Sequence, residues 1–282
     1  MGCKVITSIQ SLIGEVLKDY TIWNNSSRPW FRGEPRNVST PLLPKLFRPR
    51  NGRKHDEKKL LHHFRMKAPS LGLPYVPPRE YTDQWIFLAQ HVRLPTRLLD
   101  WTEGLLIALH FALYTAEDGS IVWMLNPGAL NQLSISSFET DQVQLTWFDQ
   151  RTRQLQGSDL ETIQKMIIDG EKQNTILVPH NISGININFA WTQQGFTTPY
   201  PFAIPPTNIH PRMSSQISRF TIHGIRELGI CEMDLGLGVL QKYQIADEAI
   251  DAMKDELRIM GITHSSLFPE LDGLSDELAE IY

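Results

Sequence analysis

The chain has 282 residues, of which 41% are hydrophobic and 21% charged, with a formal net charge of -4. This content is enough to bury a core and excludes wholesale disorder, and the length suits one elaborated domain or a core with a subdomain. The acidic balance excludes binding of nucleic acid by bulk surface charge, while a local basic groove stays open.

In chain order, residues 7–20 place Ile9, Leu12, Ile13, Val16 and Leu17 at helical spacing behind a Thr7 or Ser8 N-cap. A strand is expected over 28–33, ending at Gly33, followed by an extended basic loop over 35–52 with four prolines. Helices are expected over 55–68 and 82–92. Asp100 to Thr102 is expected to cap a further helix that continues to Ala116, and GSIVWMLNP reads as a strand between Gly119 and Pro127. Residues 128–209 are rich in Gln, Asn, Ser and Thr and read as an insertion, with strands over 176–179 and 187–191 and a proline-rich stretch over 199–211. A strand over 218–224, a helix over 246–260 and a short helix from Leu271 close the chain. The expected organisation is an N-terminal helix in 1–27, a core from 28–127 and 210–282, and an insertion over 128–209. Helices interleaved with small strands point to a mixed α+β class.

Cys3 and Cys231 are too few for a disulfide framework and lack metal-type spacing. His62 and His63 have no carboxylates at metal spacing, so no metal site is expected. There is no apolar run near the roughly 18 residues of a membrane helix and no signal-type h-region, so a cytoplasmic protein without a membrane partner is expected.

Four polar segments stand out. In WFRGEPR at 30–36, a strand ending in Arg32-Gly33 can hold a guanidinium at the lip of a cleft. Gly33 lets a backbone or a ligand approach, and Arg is suited to bidentate grip of a phosphate. The competing reading is a turn with a surface Arg. In LAQHVRLPTRLLDWTEG, Gln90, His91, Thr96, Arg97, Asp100 and Thr102 interrupt an apolar stretch, and buried polar groups must bond to one another or to a ligand. Arg97 and Asp100 are expected to be architectural, through an ion pair or backbone hydrogen bonds, and His91 is either a ligand contact or a satisfied core histidine. Arg212, Gln216 and His223 punctuate a turn and a strand, and the competing reading is a polar edge strand. Glu270 and Asp272 line a site or cap the last helix. Phosphate-loop, dinucleotide-turn, HEXXH and GxSxG signatures are absent.

In this order the segments resemble the FRG domain family. The naming motif reads Phe31-Arg32-Gly33, and the longest block, QH-x-G-x-PTRLLDWT, reads from Gln90 to Thr102 with Arg93 in place of the family's usual Gly. The A-L-x-F-A pattern appears as Ala108 to Ala112, an R-x-x-x-Q-x-x-x-F element as Arg212, Gln216 and Phe220, and the closing L-F-P-[DE]-L-D-G-L as Leu267 to Leu274. The family is similar in one respect to ADP-ribosyltransferases, which hold NAD with an early-strand Arg or His and complete the site with a later carboxylate or Gln. This second resemblance implies an ADP-ribosyltransferase-like core.

The resemblance further implies an NAD-dependent effector, a toxin or anti-phage defence protein, that modifies a protein or nucleic acid and is held in check by an antitoxin or regulatory partner. It places Phe31, Arg32, Gly33, Gln90, His91 and Gln216 in NAD binding and Arg32, His91 and Glu270 in catalysis, with Glu34 competing with Glu270 for the carboxylate role. The alternative is a non-enzymatic module that binds nucleic acid or another ligand. Eleven Lys and Arg against three acidic residues between Arg32 and Lys67 suit a phosphate-rich partner in either case. A metal-dependent nuclease ranks last for want of clustered carboxylates.

Overall fold

Strand β2 (Trp30–Pro35) lies at the centre of a sheet whose order is β1 (Lys4–Ile6), β7 (Leu240–Ile245), β4 (Ser120–Leu125), β2, β3 (Leu98–Thr102), β6 (Ser218–Ile222) and β5 (Phe202–Ile204). The computed structural model describes residues 4–23, 27–49, 51–73, 75–79, 82–114, 119–139, 200–204, 206, 211–224 and 226–281. The expected strands over 176–179 and 187–191 lie outside the described residues. Among the described residues, only β1 and β7 pair in parallel, and every other ladder is antiparallel. The helices are α1 (Ile9–Ile22), α2 (Glu57–Lys67), α3 (Thr82–His91), α4 (Leu105–Tyr114), α5 (Pro127–Glu139), α6 (Pro211–Ser215), α7 (Ile250–Ile259), α8 (His264–Leu267) and α9 (Leu271–Ile281). The class is α+β, with a mixed sheet and helices packed on it.

Strand β4 shows how the sequence fills both faces. It is buried along its whole length and reads SIVWML, with no polar alternation to mark one side. Its side chains still alternate between two cores. Val122 and Met124 join Phe31, Tyr243 and Ile245 under α1, α4 and α7. Ile121, Trp123 and Leu125 join Trp30, Leu99 and Trp101 in the other core, which Leu42 and Leu130 also enter.

The N-terminal unit is fastened to this sheet. Ser8 caps α1 and forms a capping box with Ser11, and Ile9, Leu12 and Val16 turn inward. Asp19, buried on α1, accepts hydrogen bonds from Lys4 Nζ at 2.8 Å and from the Tyr243 hydroxyl at 2.6 Å. One carboxylate thereby ties α1 to β1 and β7, and burial with this negative partner pushes the Tyr243 hydroxyl pKa up. At the other border, α5 meets β5. Asn131 donates to the Ala203 carbonyl at 3.0 Å and accepts from its N–H at 2.7 Å, so α5 and β5 are joined directly.

The structure departs from the sequence reading at three places. Residues 98–102 form β3 rather than a helix cap, and α4 starts only at Leu105. The pattern of Leu98-Leu99-Asp100-Trp101-Thr102, buried at four of five positions, does not alternate as a half-exposed strand would. Strand β6 is not at an edge, because it pairs with both β3 and β5. Strands β1 and β7 have no counterpart among the expectations. The first is three residues long, and the second mixes Gln and Lys into a short segment.

Gly33 is where a helix comes closest. A Cβ there would stand 2.0 Å from the Ala108 carbonyl oxygen and 2.4 Å from the Ala112 nitrogen of α4. The alanines of the A-L-x-F-A pattern are the surface on which Gly33 sits. Gly33→Ala is therefore expected to destabilise the fold by about 3 kcal/mol, since neither backbone can yield locally. Chemical denaturation checks this, and a loss under about 1 kcal/mol would mean that α4 slides freely.

His223 sets an acid limit on the fold. It is fully buried, neither ring nitrogen has a hydrogen-bond partner among the described residues, and burial, followed by the nearby Arg97 charge, pushes its pKa down to about 3. The unfolded chain takes up this proton near pH 6.5 and the folded chain does not. Stability is thus fully present above pH 6.5 and falls from there toward about pH 3, by about 1.4 kcal/mol per pH unit for this group. Denaturation at pH 7 and pH 5 should show a smaller acid loss in His223→Leu than in the parent, and equal losses would remove His223 as the cause.

Candidate functional site: a forked sheet lined with cations

Strands β2 and β3 share one register pair, Phe31 with Thr102. Beyond it they part. β2 follows β4 over six pairs, and β3 follows β6 over five. A cavity of about 550 Å3 occupies the fork, within the usual range of about 300–1,000 Å3 for small-molecule sites. Its walls come from β2, β3, the 3-10 turn at Lys45–Phe47, the end of α3, and α6 with the start of β6.

All six residues expected to bind cofactor line this cavity: Phe31, Arg32, Gly33, Gln90, His91 and Gln216. Arg32 and His91 therefore face one space although 59 positions separate them in sequence. Glu270 is not among the lining residues. Burial lowers the pKa of the cavity residue Arg212, and the Glu270 charge opposes that shift. Gly33 permits the close approach of α4, which gives this glycine a packing role beside its place in the cavity wall.

Arg32 bridges the fork. Its Nε donates to Glu34 at 2.9 Å, and its Nη1 donates to the Asp100 carbonyl at 2.7 Å. The first contact anchors the guanidinium on its own strand, and the second satisfies a backbone oxygen that the broken ladder leaves open. Nη2 has no hydrogen-bond partner among the described residues. Glu34 is 3% exposed and also accepts from the Leu42 N–H at 3.2 Å, so it is a held carboxylate rather than a free one.

Arg48 and Lys45 line the same end. Arg48 is half-buried and donates from Nε to the Leu43 carbonyl at 2.9 Å. Burial lowers its pKa first and the Arg32 charge lowers it further, with Glu34 opposing. Arg32, Arg48 and Lys45 thus meet two carboxylates, Glu34 and Asp100, leaving a local surplus of one positive charge in a partly enclosed space. That arrangement favours an anion.

The other end is mixed. Leu98 N–H donates to Thr96 Oγ1, the Thr96 hydroxyl donates to Gln90 Oε1, and Gln90 Nε2 donates to Asp100 Oδ2 at 2.7 Å. This chain fixes which way the Gln90 amide points. Asp100 keeps its side chain 57% exposed, with its carboxylate 3.9 Å from Arg32 Nη1. Arg212 lies with its guanidinium 3.9 Å above the centre of the Phe268 ring. Phe87 and Phe220, stacked 5.3 Å apart, supply apolar wall.

The expected Arg97–Asp100 pair does not form. Arg97 turns away from the cavity and pairs with Glu57 of α2, its Nε 2.9 Å from the carboxylate, while Nη1 donates to the carbonyls of His223 and Gly224. Strand geometry is the reason, because residues 97 and 100 are three apart and project to opposite faces of an extended chain. Asp100, Lys45, Arg48, Arg93 and Arg212 are the charged cavity residues that the sequence reading left outside its cofactor-binding and catalytic sets. The basic loop at 35–52 carries the signal for two of them.

Glu57→Ala is expected to cost about 3 kcal/mol, because it strands Arg97 in a buried setting. Asp100→Asn is expected to cost under about 1 kcal/mol, since the group is exposed and Asn still accepts from Gln90. Urea titration of both variants checks the contrast, and the reverse order would return Asp100 to the structural frame.

Residues 27–120 match the family model described as the FRG domain. That span contains β2, α2, α3, β3 and α4, so most of the fork lies within it, and α6 and β6 complete the cavity from outside. No curated protein and no solved structure matches the chain. No described helix is long and apolar enough to cross a membrane.

Proposed function

Because residues 27–120 make this chain a carrier of an FRG domain, with the cation-lined fork built largely inside it, we propose that the cavity binds NAD and that the protein transfers ADP-ribose to a macromolecular acceptor. The observation that carries the reading is the Arg32, Arg48 and Lys45 surplus at one end of a dinucleotide-sized space, with Arg32 Nη2 unpartnered among the described residues. A planar fork held at its Nε and Nη1 presents its remaining edge to an oxyanion, which suits a pyrophosphate.

In this reading the phenylalanine wall takes the flat nicotinamide, and Gln90, His91 and Gln216 offer polar contacts to ribose hydroxyls. Transfer breaks the ribose C1′–nicotinamide bond, and nicotinamide leaves with the electron pair. The acceptor's nucleophile then bonds to C1′ and loses its proton. Positive charge develops on the ribose, and a carboxylate nearby lowers that barrier. Asp100 is the exposed carboxylate of the cavity wall and takes the role first assigned to Glu270, while Glu34 stays bound to Arg32 and the Leu42 amide. The effector role, as toxin or in phage defence, comes with the family resemblance and not from the cavity.

The non-enzymatic nucleic-acid module is less well supported. Its basic segment does not present one free strip. Arg48 turns into the cavity, Arg36 pairs with Asp247, Lys54 with Glu227 and Lys59 with Asp56.

The test uses Arg32→Lys rather than Arg32→Ala, because Ala leaves Glu34 buried without its cation and costs about 3 kcal/mol of stability. Lys keeps the charge beside Glu34 and removes the fork. NAD affinity by calorimetry should fall about tenfold with the melting temperature nearly unchanged, which corresponds to one charge-assisted hydrogen bond. Asp100→Asn should lower turnover far more than NAD affinity. Parent protein that neither binds nor consumes NAD would overturn the proposal.

A further inference from the structure

Helix α3 ends in an unusual way. After His91 the Leu94 N–H donates to the Ala89 carbonyl at 2.9 Å and the Arg93 N–H to the Gln90 carbonyl at 3.0 Å, which closes the helix as a Schellman-type turn. Such a turn needs a left-handed residue, and Arg93 supplies it with φ of 64°. Glycine adopts this conformation freely, and a side chain with a Cβ pays about 1 kcal/mol for it. The local hydrogen bonds are backbone contacts that glycine would make equally well. They give no reason for an arginine.

The side chain gives one. Arg93 is exposed and lines the mouth of the forked cavity. Its guanidinium has no hydrogen-bond or ion-pair partner among the described residues. Burial lowers the pKa of Arg212, the Glu270 charge opposes this, and the Arg93 charge adds to the lowering. The strained backbone and the repulsion from a second arginine both cost the free protein stability, and an anion at the mouth would relieve the repulsion.

We propose that Arg93 binds a phosphate group at the cavity mouth, a second phosphate site distinct from the pyrophosphate site at Arg32 and Arg48. This rests on the reading of the cavity as a pyrophosphate site. The mouth phosphate belongs either to the same small ligand, as a third phosphate on a ribose, or to a phosphodiester of a polynucleotide acceptor. In both cases the recognition is the same charge-assisted contact from a guanidinium.

The experiment measures binding of NAD, NADP and a short single-stranded oligonucleotide to the parent, Arg93→Gly and Arg93→Asn. Gly and Asn both tolerate the left-handed turn, so both variants should fold with a melting temperature equal to or above the parent's. A fall of about tenfold for NADP with NAD unchanged supports the site and assigns the phosphate to the small ligand. A similar fall for the oligonucleotide, with both dinucleotides unchanged, supports the site and assigns it to the acceptor. Unchanged affinity for all three, or equal weakening of NAD and NADP alone, overturns it. Failure of the parent reading is seen separately, as parent protein that binds neither dinucleotide while the oligonucleotide comparison still reports on Arg93.

Discussion

A strand that leaves its neighbour must find other partners for its backbone, and the site of this protein grows from that requirement. β2 is held to β4 and β3 to β6 by full ladders, and between β2 and β3 only Phe31 and Thr102 meet. The edges that open beyond this pair are satisfied by side chains. Arg32 donates to the Asp100 carbonyl, and Thr96 accepts from the Leu98 N–H. The polar groups of the FRG and PTRLLDWT segments are thus the ones that make a broken ladder tolerable inside a folded sheet. The same groups line the space that the break creates.

The frame around the fork is apolar and tight. Gly33 admits the α4 backbone, and Ala108 and Ala112 are small enough to meet it. On the opposite face, tryptophans 30, 101 and 123 fill one core. Arg97 and Glu57 pin α2 to the start of β3, away from the cavity. The fork is therefore bounded by elements that each have their own reason to stay in place, which is how a preorganised binding site is held open.

Charge is distributed unevenly over that frame. The chain is net acidic, with a formal charge of -4, yet Arg32, Lys45, Arg48, Arg93 and Arg212 all line one cavity, against Glu34 and Asp100. Bulk composition does not describe such a site, because residues from five regions of the chain converge on it. The local excess, partly buried, selects anions with more force than the same charges spread over a solvated surface.

Sequence patterning alone determined the elements with strong period or punctuation. Helices α1, α2, α3 and α7 have apolar residues at helical spacing, β4 is an apolar run bounded by Gly119 and Pro127, and Phe31-Arg32-Gly33 and Gln90-His91 marked residues that do share a cavity. Tertiary structure decided the rest. Residues 98–102 form a strand because β6 and the single Phe31–Thr102 pair complete its ladder, and a run buried on both faces has no period to announce that. Asp100 faces the cavity and Arg97 faces Glu57 because an extended chain sends positions three apart to opposite sides, which is the reverse of what a helix would do. Glu270 stays outside the cavity walls and Arg93 stands at the mouth because chain packing, and not order along the sequence, sets which charges converge. Motifs name the residue types a site uses. Long-range pairing decides which of them meet, since its contacts join residues whose separation in sequence carries no local signal.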